Sequence, residues 1–123
     1  LRRELIITSV KLKGVTDLKE KIEKKQIELI EKKKLSQPSQ IKTCGSTFKN
    51  TKNYKAWELI KKSNCEKMFV GKAKISQKHC NFFVNEGNAK ATEIEQLIHK
   101  TKEQVFKKTG IKLELEIKII GER

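Results

Sequence analysis

A chain of 123 residues supports one folding unit with a modest core and falls short of the size at which cores divide. It has no run of about 18 apolar residues, which excludes a membrane-spanning helix, and Cys44, Cys65 and Cys80 lack both the even count of a disulfide framework and the Cys-x-x-Cys spacing of structural zinc. The formal net charge of +14 suggests a polyanionic partner, but only Arg2, Arg3 and Arg123 of the 29 basic residues carry the bidentate fork that reads phosphates and bases, so the pattern disfavours nucleic acid and an anionic membrane surface and favours lysine-rich solvated faces.

The sequence opens at Leu1 without a methionine or a charged-then-apolar leader, as expected of a soluble cytoplasmic protein and of a piece of a longer one. Residues 4–12, rich in Ile, Val and Leu, read as a mostly buried strand that Gly14 ends. Residues 17–34 read as a helix, with Thr16 as cap and Leu18, Ile22, Leu29 and Ile30 as an approximate apolar stripe among lysines and glutamates. Pro38 lies among serine, glutamine and lysine in residues 35–43, a connecting segment at which the domain boundary is placed.

Residues 44–50, Cys-Gly-Ser-Thr-Phe-Lys-Asn, pack small, polar and cationic groups between two amphipathic stretches. Gly45 lets a ligand approach the backbone, which brings the Ser46 hydroxyl and the Asn50 amide near whatever binds; the plainer alternative is a turn leading into a short strand. Residues 55–62 read as a short helix burying Trp57, Leu59 and Ile60. Residues 68–70, 73–75 and 80–84 are short strands of a small antiparallel sheet, followed by a loop over 85–91.

Thr92 with Glu95 predicts a capping box that opens the clearest helix, whose Ile94, Leu97, Ile98, Thr101, Val105 and Phe106 share one face and which Gly110 stops. Residues 111–120 alternate, with Ile111, Leu113, Leu115, Ile117 and Ile119 on one face and Lys112, Glu114, Glu116 and Lys118 on the other, as in a half-buried strand. By pattern alone Glu116 is a solvated charge and His79 a surface residue of a polar turn. Nothing beside Cys44 or Cys80 assigns either a catalytic nucleophile's role.

Taken in order, residues 45–50 (Gly-Ser-Thr-Phe-Lys-Asn), 56–60 (Ala-Trp-Glu-Leu-Ile), 75–82 (Ile-Ser-Gln-Lys-His-Cys-Asn-Phe), Asn85, Ala91-Thr92 and 113–121 (Leu-Glu-Leu-Glu-Ile-Lys-Ile-Ile-Gly) resemble the carboxyl-terminal part of the UDP-N-acetylenolpyruvoylglucosamine reductases, flavoenzymes of bacterial peptidoglycan synthesis. The resemblance implies an α+β fold: a small, mostly antiparallel sheet with helices packed on it forms a substrate-binding domain over residues 35–123. Residues 1–34 would be a strand-helix remnant of the flavin-binding domain. It also implies a two-stage reaction in which NADPH reduces bound FAD and the flavin passes hydride to UDP-N-acetylglucosamine enolpyruvate, giving UDP-N-acetylmuramate.

On that resemblance Ser46 matches the proton donor and Glu116 the active-site carboxyl group. Asn50 and His79 match substrate contacts, and Lys34 a lysine near the nucleotide diphosphate, a ligand that a cationic surface would attract. The flavin-binding amino-terminal region, with its phosphate loop, is missing, so this chain alone should neither hold FAD nor turn over. Lys72, Asn64 and Lys67 stand where glycines are usual and Thr51 where proline is; any of the three glycine positions with positive φ would cost about 1 kcal/mol. A degenerate UDP-sugar-binding domain without catalysis is the second reading, and a basic nucleic-acid-binding module the third. The sequence sets no oligomeric state.

Overall fold

The computed structural model describes residues 6–121. Contacts divide the chain into two compact units, one ending at Glu31 and the other beginning at Lys32. Arg2, Arg3 and Arg123, and the start of the expected strand at residues 4–12, lie outside the described residues.

Within the first unit, residues 6–12 form no ladder and their apolar side chains are exposed, which corrects the buried-strand expectation. A strand exists only through pairing, and this stretch pairs with none of the described strands. The helix α1 runs from Lys19 to Ser36, two residues later than expected at each end, and none of its residues is buried, so the stripe of Leu18, Ile22, Leu29 and Ile30 does not form a core. The Asp17 carboxylate, not Thr16, sits at its start, accepting the Leu18 N–H at 2.8 Å. No helix among the described residues is long and apolar enough to cross a membrane.

The second unit holds the sheet and two further helices. β1 (Lys42–Ser46), β2 (Phe69–Val70), β3 (Ala73–Ile75) and β4 (Phe82–Asn85) form one antiparallel sheet in the order β1-β4-β3-β2. The fold is therefore the expected α+β class, but β1 begins inside the stretch read as a connector. Lys42 and Thr43 carry few strand signals of their own and become a strand by pairing with Asn85 and Val84.

The helices α2 (Ala56–Lys62) and α3 (Ala91–Thr109) complete the unit. Leu97, Ile98, Thr101 and Val105 are buried on α3, and Gly110 caps it in the left-handed region, φ +71°, its N–H donating to the Phe106 carbonyl at 2.8 Å. Phe106 itself is exposed, one position beyond the buried stripe, beneath the Lys112 ammonium. The helix opens differently from the expected Thr92–Glu95 box: Lys90 precedes its first turn and its N–H donates to the Glu93 carboxylate at 2.9 Å, leaving Thr92 inside the helix. That carboxylate lies over the β2–β3 turn, where a Cβ on Gly71 would collide with it.

One core gathers Phe48, Leu59, Ile60, Ile75, Phe83, Leu97, Val105 and Leu113, with the Phe48 and Phe83 rings edge to face at 5.8 Å. Trp57, expected inside, is 36% exposed: α2 is only two turns long, and Ala56, Leu59 and Ile60 already use its inward face. The carboxyl-terminal stretch keeps the expected alternation at its centre, with Leu113 buried, Leu115 and Ile117 half-buried and Lys112, Glu114, Glu116 and Lys118 exposed. It is not a regular strand, since only Leu115 bridges, to Phe48, and Ile119 is exposed.

Candidate functional site

Gly45 sets the local geometry. Between Thr43 and Ser46 the β1–β4 register shifts, and Gly45 sits in that bulge at φ +82°, a conformation open to glycine and costly for other residues. The bulge delivers Ser46 opposite Phe82, half-buried, with a hydroxyl that makes no hydrogen bond among the described residues.

From there the backbone is held by one side chain. Asn81, 4% exposed, accepts the Phe48 N–H on Oδ1 at 2.9 Å and donates from Nδ2 to the Phe48 carbonyl at 2.8 Å, while its own carbonyl accepts the Thr47 N–H at 2.7 Å. An amide that satisfies both backbone groups of a fully buried residue fixes the chain on either side of it. On the opposite flank, Lys49 N–H donates to the Glu114 carbonyl and Glu116 N–H to the Thr47 carbonyl, each at 2.9 Å, around the Phe48–Leu115 bridge. The structure thus brings the Glu116 backbone to the residue next to Ser46. The Glu116 side chain is exposed.

His79 joins the same network. Its Nδ1 accepts the Asn81 N–H at 3.2 Å, its carbonyl accepts the Phe82 N–H at 2.9 Å, and its ring packs edge-on against Phe82 at 4.8 Å. Burial, against a smaller opposing effect of its backbone hydrogen bond, pushes the imidazole below its ordinary value, so the ring is neutral near pH 7 with Nδ1 as acceptor and the proton on Nε2.

The Asn50 amide is half committed. Oδ1 accepts the Ala56 N–H at 2.9 Å, so Asn50 caps α2 from six residues upstream, whereas Nδ2 has no partner among the described residues. Thr51, in the usual proline position, donates its N–H to the Tyr54 carbonyl at 2.9 Å and its hydroxyl accepts the Tyr54 N–H at 2.9 Å, closing the turn before the helix. The Lys34 side chain is exposed and makes no bond to this network; its carbonyl accepts a hydrogen bond from the ammonium of Lys78, the residue before His79.

Of the three substituted glycine positions, only Asn64 has positive φ, +56°, a conformation asparagine tolerates better than most residues; Lys67 and Lys72 carry no such strain. Neither the burial of Thr47 nor the clamping role of Asn81 is legible in the sequence. A buried threonine between a serine and a phenylalanine gives no pattern signal, and an asparagine in a polar turn carries no sign of a partner 33 positions away.

Fold and site together define a class: a small α+β domain in which the Ser46 hydroxyl and the Glu116 carboxyl group make no hydrogen bond among the described residues, while Asn50 and His79 each keep one nitrogen free. Residues 37–120 match the family model described as UDP-N-acetylenolpyruvoylglucosamine reductase, C-terminal domain, and the chain belongs to that family. Proteins named UDP-N-acetylenolpyruvoylglucosamine reductase from Wolbachia pipientis wMel and Pelagibacter ubique are 46% and 48% identical to it, each over 98% of this chain. The crystal structure of the reductase of that name from Thermus caldophilus superposes with a TM-score of 0.68 at 34% identity, covering 82% of this chain and 35% of that one. The chain spans 41% of the length of the Wolbachia and Pelagibacter relatives.

Proposed function

We propose that this chain is the substrate-binding carboxyl-terminal portion of the NADPH- and FAD-dependent reductase that converts UDP-N-acetylglucosamine enolpyruvate to UDP-N-acetylmuramate, a cytoplasmic step of peptidoglycan synthesis. The observation that carries the reading is the Glu116 N–H to Thr47 carbonyl bond, which ties the last segment to the residue beside Ser46. Family membership supports it. Residues 1–34 are, on this reading, the end of the flavin-binding domain and residues 35–123 the substrate domain.

The described residues do not suit a dinucleotide. Their positive-φ glycines, Gly45, Gly71, Gly87, Gly110 and Gly121, fall one to a turn, without the run of backbone N–H groups that cradles a pyrophosphate. On this reading FAD and NADPH are held mainly by the region that longer relatives carry outside this chain, and the reduced flavin, when bound there, would supply hydride.

This chain's residues supply the complementary half of the chemistry. Addition of hydride to one alkene carbon leaves enolate character beside the substrate carboxylate, so the other carbon needs a proton and the developing charge needs donors. Ser46, with an uncommitted hydroxyl on a backbone fixed by Asn81, delivers that proton. Glu116 stands near the substrate carboxylate and steers it. Asn50 Nδ2 and His79 Nε2, the nitrogens left over from their structural bonds, donate to the substrate, and Lys34 attracts the diphosphate.

Co-production of this chain with a flavin-binding amino-terminal region tests the reading. The expected result is a yellow complex that oxidises NADPH only when the enolpyruvyl sugar nucleotide is added; an assembled, flavin-loaded complex that ignores that nucleotide refutes it.

A further inference from the structure

The three cysteines differ sharply in surroundings. Cys65 is fully buried and Cys80 half-buried, and desolvation raises both thiols, Cys65 to about 11; only Cys44 is exposed. Cys44 also lines a cavity of about 400 Å³ together with Lys42, Thr47, Phe83, Asn85, Ile94 and Ile117. Lys42 and Cys44 are both exposed, and both line this cavity, as does Thr43 between them.

Thr47 on the cavity wall is only 2% exposed, yet its hydroxyl has no hydrogen-bond partner among the described residues; its backbone N–H and carbonyl are committed to Asn81 and Glu116. A hydroxyl with no partner within the protein, on the wall of an open cavity, is free to meet a ligand atom. Cation, hydroxyl, thiol and apolar wall together fit a small organic molecule bearing carboxylate and sulfur.

We propose that Cys44 is a thiol-exchange site: it accepts a small carboxylate-bearing thiol from an anionic low-molecular-weight disulfide, and the adduct occupies the cavity beside Lys42 and Thr47. The Cys44 thiolate, its proton released to solvent, attacks one sulfur of the incoming disulfide. The reagent's S–S bond breaks as the Cys44 Sγ–S bond forms, and the other half leaves as a thiolate that takes up a proton. Cys44 is oxidised and half of the reagent reduced. This modifies the protein two residues from Ser46 and does not depend on the role proposed for that serine.

The full chain is incubated with oxidised glutathione, neutral 2-hydroxyethyl disulfide or cationic cystamine, and adducts are followed by intact mass and peptide mapping. The expected product is a single adduct on Cys44, forming about threefold to fivefold faster with oxidised glutathione than with the neutral reagent at low ionic strength and slowest with cystamine. Lys42→Gln removes most of that preference, and Thr47→Val speeds release of the adduct by free thiol. A first adduct on Cys65 or Cys80, rates indifferent to reagent charge, a preference untouched by Lys42→Gln, or release untouched by Thr47→Val overturns the proposal. No outcome draws on flavin or sugar nucleotide, so its failure is distinct from failure of the reductase reading.

Discussion

Asn81 holds both backbone groups of Phe48, accepting its N–H at 2.9 Å and donating to its carbonyl at 2.8 Å. The two residues are separated by 33 positions in sequence, so one side chain joins the β4 entry to the segment that carries Ser46 and Asn50.

Replacing Asn81 with leucine leaves a buried donor and a buried acceptor unpaired. The expected loss is about 2 to 6 kcal/mol of stability, taking about 1 to 3 kcal/mol for each of the two orphaned groups. Urea denaturation of Asn81→Leu measures it; a change within about 0.5 kcal/mol would mean that the clamp bears no stability.

Asn50 has two separable duties, because Oδ1 caps α2 and Nδ2 is free for substrate. Asn50→Asp keeps the accepting oxygen, so stability should stay near wild type while binding of the sugar nucleotide weakens in the assembled enzyme. Asn50→Ala should lose both, with about 1 kcal/mol of stability gone. Thermal melts paired with KM values for the two variants separate the roles.

His79 links stability to pH. Its pKa is lowered in the fold, mainly by burial, below the ordinary 6.5, so as pH falls the unfolded chain binds this proton before the folded chain does. The contribution is fully present above pH 6.5 and is lost as pH drops through the lower folded value. Protonation of Nδ1 also breaks its bond from the Asn81 N–H. His79→Asn should flatten the slope of unfolding free energy against pH just below neutrality, and an unchanged slope would assign it to other groups.

How much of this was legible in the sequence depended on whether the pattern was local. The α3 stripe of Leu97, Ile98, Thr101 and Val105, with Gly110 after it, follows from helical period and one glycine, and the structure keeps it. The alternation through Leu113, Leu115 and Ile117 gave the burial at its centre but not the ladder, because pairing depends on a partner elsewhere and only Phe48 supplies one. Residues 6–12 failed for the same reason: an apolar run states a need for burial without providing the neighbour. At the site, spacing alone could not connect Ser46 with Glu116. Resemblance suggested the pair, whereas the Asn81 clamp and the split duties of Asn50 needed coordinates, since an asparagine's partners are not written in its neighbours.

Proton delivery by Ser46 is the central claim, and half-reaction kinetics of Ser46→Ala in a complex with the flavin-binding region test it most directly. Stopped-flow absorbance should show flavin reduction by NADPH at the wild-type rate and reoxidation by the enolpyruvyl sugar nucleotide slowed at least about a hundredfold, the scale of a lost general acid. Equal slowing of both half-reactions, or reoxidation at the wild-type rate, would contradict the account.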